Sequence, residues 1–122
     1  IGNQDFNFSY LENDFKTSIS RARTFGLESE VKMMNEMGLG LGGSLDNAII
    51  VSNNAILNQD GLRFDNEFVR HKILDSIGDL YLSGYPILGK FTGYRSGHTA
   101  NNKLLRNLFA NKDSYEIIEV VN

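Results

Sequence analysis

Two histidines and a short row of carboxylates are where this chain could do chemistry. His71, Asp75 and Asp79 recur at four-residue steps within Phe68-Val69-Arg70-His71-Lys72-Ile73-Leu74-Asp75-Ser76-Ile77-Gly78-Asp79. In a helix that spacing stacks an imidazole and two carboxylates along one face. Val69, Ile73, Leu74, Ile77, Leu80 and Tyr81 fall on the opposite side, an apolar stripe at helical period. One turn of separation lets His71 and Asp75 meet a single metal ion. The same spacing is also common among hydrogen-bonded or solvated groups on an exposed helix face, so it does not choose between the two readings. Nor do two ligands make a complete site.

The other candidates are just as ambiguous when taken singly. His98 follows Ser96-Gly97 at a helix start, where a histidine often serves as a surface or capping residue. Thr24, between Arg23 and Phe25, reads by default as a strand residue, and Lys72 as a solvated charge. The glycines at 38, 40, 42 and 43 suggest a phosphate cradle. They lack the Lys-Ser/Thr ending of a P-loop and precede a strand rather than a helix. A loop that passes closely by another surface fits them better. Met33, Met34 and Met37 read as core packing, with a pliable apolar groove as the alternative.

The elements that must position these residues follow from pattern. Alternation of Phe6, Phe8 and Tyr10 with Asp5, Asn7 and Ser9 predicts a strand, and residues 15–22 a second. Residues 27–37 read as a helix stopped by Gly38, and residues 48–51 and 55–58 as short strands around an Asn53-Asn54 turn. Asp65 or Asn66 is placed to cap the long helix, which Gly84 and Pro86 close near residue 83. A strand over 87–94, a helix over 99–110 and a strand over 115–121 complete the chain. The expected fold is α+β, a two-layer sandwich with a mixed, mostly antiparallel sheet and two amphipathic helices on one face.

Composition narrows the function classes. With 122 residues the chain is one domain burying about two-thirds of its unfolded surface. A net charge of −3 argues against a phosphate-tracking surface over the whole domain. Arg63, Arg70, Lys72, Arg95, Lys103 and Arg106 would suit a diphosphate as easily as a nucleic acid, and no aromatic stacking platform accompanies them. The absence of cysteine leaves His, Asp and Glu as the metal ligands and suits a reducing compartment. No apolar run is long enough to span a membrane. Because the chain opens on Ile1, it is expected to be a piece of something longer.

Order changes the reading. Ala22-Arg23-Thr24-Phe25-Gly26 comes first, then Gly38-Leu39-Gly40-Leu41-Gly42-Gly43-Ser44-Leu45-Asp46-Asn47-Ala48, then Leu57-Asn58-Gln59-Asp60-Gly61-Leu62-Arg63. The His71 helix and Ser96-Gly97-His98-Thr99-Ala100-Asn101-Asn102 follow. Together they resemble the UDP-3-O-acyl-N-acetylglucosamine deacetylases, bacterial zinc amidases that commit Gram-negative cells to lipid A synthesis. The resemblance covers nearly the whole chain and implies a cytoplasmic enzyme. It matches only the second of that family's two α+β domains, so residues 1–122 would be a C-terminal domain.

The resemblance also implies roles. His71 and Asp75 would be zinc ligands. Asp79 would orient and charge His98, a general acid toward the leaving amine, and a nearby carboxylate does favour imidazolium. Thr24 would donate to the developing oxyanion. Lys72 would contact substrate, Phe25 with Gly26 would pack on the sugar or acyl chain, and Arg95 would meet the nucleotide diphosphate. Residues 26–51 would form a βαβ insert making an apolar passage for the acyl group, lined by Val31, Gly40, Ser44, Ala48 and Ile50.

The family's third zinc histidine and its general-base glutamate belong to the first domain. His71 and His98 are the only histidines here, so the fragment is expected to bind zinc incompletely and to be inactive alone. Loss of the partner domain would expose an apolar face bordered by Phe25, Phe68 and the methionines, favouring a fragment dimer. The alternative is a non-catalytic nucleotide-sugar or protein interaction module on the same fold. Intact His71, Asp75, Asp79 and His98 argue against it, since nothing structural demands all four.

Overall fold

The structure, a computed structural model, describes residues 1–120. Two compact units divide the chain, one of residues 1–74 and one beginning at Asp75.

The first unit begins without the two strands expected there. Residues 15–18 form a one-turn helix, α1 (Phe15–Ser18). Short polar side chains decide this: Asn13 Oδ1 accepts from the Ser9 N–H at 3.0 Å, and Asp14 Oδ1 from the Lys16 N–H at 3.1 Å. Such local bonds compete with a sheet ladder. Upstream, the aromatic rings pack one by one, Phe8 edge-on to Tyr10 at 4.9 Å and to Phe15 at 6.4 Å between centroids.

β1 (Thr24–Leu27) runs directly into α2 (Glu28–Glu36), and the glycine-rich loop returns the chain to β2 (Ala48–Ser52). β1 and β2 pair in parallel, Phe25 opposite Ile49 and Gly26 opposite Ile50. A parallel pair needs a crossover, and α2 supplies it, so this stretch is a βαβ unit. Gly26 permits the tight strand-to-helix return: a Cβ there would lie 3.0 Å from Val31 Cγ2. Asn53 and Asn54, with φ of 47° and 65°, make the two-residue turn to β3 (Ala55–Ile56), which pairs antiparallel with β2. The α+β class and the mixed sheet are therefore as expected, although the parallel pairing is the longer one.

Ile49, Val51 and Phe68 form the buried core, with Phe25, Ile56 and Leu62 packed against it. Phe68 lies on α3 (Glu67–Leu80), which starts in this unit. Its anchoring is not the one expected from Asp65 or Asn66. Gln4 Oε1 accepts from the Val69 N–H at 3.2 Å, while Asn66 Oδ1 takes Arg70 Nε at 2.7 Å. The Arg70 guanidinium lies between the Phe6 and Phe64 rings, 4.3 and 4.2 Å from their centroids. Glu67, Phe68 and Ser76 are the buried residues of α3; the predicted apolar stripe is half-buried and ends in an exposed Tyr81.

The second unit holds the end of α3, a 3₁₀ turn (Tyr81–Ser83) closed by Gly84 at φ 82°, and α4 (His98–Ala110). Asn101 and Leu105 are the buried residues of α4. A further 3₁₀ turn (Lys112–Ser114) follows, with Phe109 edge-on to Tyr115 at 5.5 Å. The strand expected over 87–94 is absent because no sheet exists among the described residues of this unit for it to join. Residues 115–120 form no strand either, and Val121 lies outside the described residues. Among the described residues no helix is long and apolar enough to cross a membrane.

Candidate functional site

In the first unit, a buried carboxylate ties the start of β1 to the start of α3. Glu67 is fully buried and its two oxygens take four donors. Oε2 accepts Arg23 N and Nε, each at 2.9 Å; Oε1 accepts Arg23 Nη2 at 3.1 Å and Arg63 N at 2.7 Å. Burial alone would push its pKa up. The Arg23 side-chain bonds, the two backbone N–H groups and the guanidinium charge outweigh that and bring it down to about 2.

One turn beyond Glu67, His71 is half-buried and its Nδ1–H donates to the Ala22 carbonyl at 2.9 Å. A carbonyl only accepts, so in the neutral ring the proton sits on Nδ1 and the lone pair on Nε2. That is the tautomer a metal-ligating histidine needs. Phe25 stands edge-on to Phe68 at 4.9 Å and to the His71 ring at 6.4 Å. Thr24 is exposed at the first position of β1, and Lys72 is half-buried beside His71.

The βαβ unit carries an open groove of about 590 Å³. Val31, Ser44 and Ile50 line it together with Leu45, Leu57 and Lys32; Gly40 and Ala48 do not. Asn58 ties the loop before β2 to that strand. This buried side chain donates to the Leu45 and Ala48 carbonyls at 3.0 and 2.7 Å and accepts the Ile50 N–H at 3.0 Å. Met33, Met34 and Met37 are 61%, 44% and 70% exposed, which overturns their reading as core. Phe68, expected at the border of an exposed face, is core instead.

In the second unit, His98 is the first residue of α4 and its Nδ1–H donates to Asp79 Oδ2 at 2.7 Å. Its Nε2 lies 4.0 Å from Asp75 Oδ2. The hydrogen bond to Asp79 raises the pKa of His98 above the ordinary imidazole range, reinforced by the charges of Asp79 and then Asp75 and slightly opposed by burial. Arg95 is exposed, its guanidinium 5.5 Å from the Tyr94 ring, and its backbone takes a left-handed φ of 48°.

The family model for UDP-3-O-acyl N-acetylglycosamine deacetylase (LpxC) matches residues 1–110. The chain belongs to this family. Both histidines have Nδ1 committed to an oxygen, Ala22 O for His71 and Asp79 Oδ2 for His98. The structure thus joins His98 to Asp79 and sets Asp75 near it; Thr24, Phe25, Gly26, His71 and Lys72 lie in the other unit. Among the described residues no group of three or more His, Cys, Asp or Glu is gathered to hold a metal ion. Three residues escaped the sequence reading. Glu67 looked like an ordinary acid in a first helical turn, Asn58 sat unremarked inside a quoted motif, and Asn101 lay three residues beyond His98.

Proposed function

We propose that this chain serves a zinc-dependent amidase that removes the N-acetyl group of UDP-3-O-acyl-N-acetylglucosamine, the committed step of lipid A synthesis, in the cytoplasm. The observation that carries the reading is the 2.7 Å bond between Asp79 Oδ2 and His98 Nδ1. It commits the Nδ1 proton to the carboxylate and leaves Nε2–H of the imidazolium to be given away. Once water has added to the acetyl carbon, the amide C–N bond breaks, that proton goes to the leaving nitrogen, and acetate and the sugar amine result. The Thr24 hydroxyl donates to the oxygen on which negative charge develops.

His71 and Asp75 fit as two zinc ligands. The Ala22 bond puts the lone pair of His71 on Nε2, and a carboxylate follows one turn later. Zinc bound there would polarise the acetyl carbonyl. His71 and His98 are the only histidines, so the third ligand and the general-base glutamate come from outside these 122 residues. The chain alone is inactive on this reading. Lys72, Phe25, Gly26 and Arg95 contact the sugar nucleotide, Arg95 at the diphosphate. The groove along α2, with Val31, Ser44 and Ile50 in its lining, takes the acyl chain.

The test is deacetylation by the chain alone beside a full-length family enzyme. No turnover above the blank is expected from the chain, whereas the equivalent of His98→Gln in the full-length protein should cost about 10²-fold or more in kcat. Turnover by the chain near the full-length rate would overturn its need for ligands from outside, and full activity of the His98→Gln enzyme would overturn the proton-donor role. Exposed Met33, Met37 and Leu41 further support self-association through the uncovered face. Light scattering should show a dimer at high concentration, and a strict monomer would count against it.

A further inference from the structure

Asn101 has no part in the chemistry above, yet it is only 2% exposed, in the first turns of α4. A buried amide inside a helix is unfavourable unless its hydrogens are placed. Both are: Nδ2 donates to Ser76 Oγ at 3.2 Å and to Asp79 Oδ2 at 3.0 Å. Asp79 Oδ2 is the same oxygen that accepts His98 Nδ1–H. His98 and Asn101 stand three residues apart on one face of α4, so one helix presents two donors to one carboxylate oxygen. Ser76, three residues before Asp79 on α3, steadies the amide from the other side.

Exposure shows which partner does the holding. The His98 side chain is 67% exposed and that of Asp79 15%. A mostly solvated ring cannot fix the rotation of an aspartate carboxylate, whose terminal torsion is broad. A buried amide with a second anchor can. We propose that Asn101 is a positioning residue: it locks Asp79 Oδ2 against His98 Nδ1, which selects the Nδ1–H tautomer and aims Nε2 outward. The inference rests on the reading of His98 as the proton donor, but the tautomer is measurable without turnover.

The experiment reads ¹⁵N chemical shifts of the neutral His98 ring in the full chain. In the parent chain the Nδ1–H form should predominate. Asn101→Leu keeps the branched shape and removes both donors, and the Nε2–H form, which free imidazole side chains prefer in water, should become the major one. Ser76→Ala leaves the bond to Asp79 but removes the second anchor, so it should shift the populations the same way by less. That variant carries the test if Asn101→Leu fails to fold. In a full-length enzyme the Asn101 change should lower kcat about tenfold with KM unchanged. An unchanged tautomer in whichever variant folds overturns the inference and leaves the proton-donor reading standing. Full turnover by His98→Gln would overturn that reading while leaving the tautomer result intact.

Discussion

Replacing Glu67 by Gln should destabilise the chain more than any other isosteric change. Four donors converge on its two oxygens, and an amide offers one oxygen and one NH₂, so two donors would face another donor. The Arg23 guanidinium, 12% exposed, would also lose its counter-charge. Holding the carboxyl at about 2 against an ordinary 4.5 corresponds to about 3 kcal/mol of stability. Breaking a buried pair from one side costs about 3–5 kcal/mol by mutation, in the same range. For a chain of this size that lowers Tm by roughly 10 °C or more. The pH dependence has a definite sign. Glu67 takes up its proton in the unfolded chain near 4.5 but in the folded chain only near 2, so its contribution is whole above about pH 5 and disappears as pH falls toward 2. Thermal melts of both proteins from pH 7 to pH 2.5 test this: the gap between them should narrow on acidification. A Glu67→Gln melt within two or three degrees of the parent at pH 7 would refute the reasoning.

Three further outcomes are expected. NMR titration should put the His98 imidazolium above the ordinary histidine range, and Asp79→Asn should bring it down; since the folded value is the raised one, the stabilisation from this pair is present at low pH and lost as pH rises through it. Asn58→Ala removes three hydrogen bonds to the start of β2 and its loop and should cost about 2–3 kcal/mol; amide exchange at Ile50 should quicken, and protection equal to the parent's would speak against the role. Zinc titrated calorimetrically into the chain should bind no tighter than micromolar, because only two ligands are proposed here, and nanomolar affinity would show that an incomplete site is the wrong account.

The three longer helices and the β2–β3 hairpin were legible because each rests on local signals, whereas the βαβ unit came from the family resemblance. Glu28 and Glu30 open α2, Ala48-Ile49-Ile50-Val51 is a continuous apolar run, and Asn53-Asn54 suits a turn with positive φ. The strands expected over 5–10 and 15–22 lost to local side-chain bonds, and those over 87–94 and 115–120 had no sheet edge to join. Alternation marks a segment that suits a sheet, while a strand exists only where a neighbouring edge accepts its N–H and C=O groups. Among the candidate residues, His71, Asp75, Asp79 and His98 were visible as residue types in order. What surrounds them was not: Arg23 and Glu67 are 44 positions apart, and Asp79 and Asn101 are 22. No periodicity links such pairs, and their value lies in burial, which only the folded chain reveals.

Arg95 holds a left-handed backbone at φ 48°, a conformation that glycine adopts freely and that costs another L-residue about 1 kcal/mol. Arg95→Gly would therefore make the chain more stable while deleting the cation proposed to meet a diphosphate. Selection for heat resistance and selection for substrate capture would pull this one position in opposite directions. Anyone stabilising the chain by screening melts alone would discard the proposed diphosphate contact at the first round.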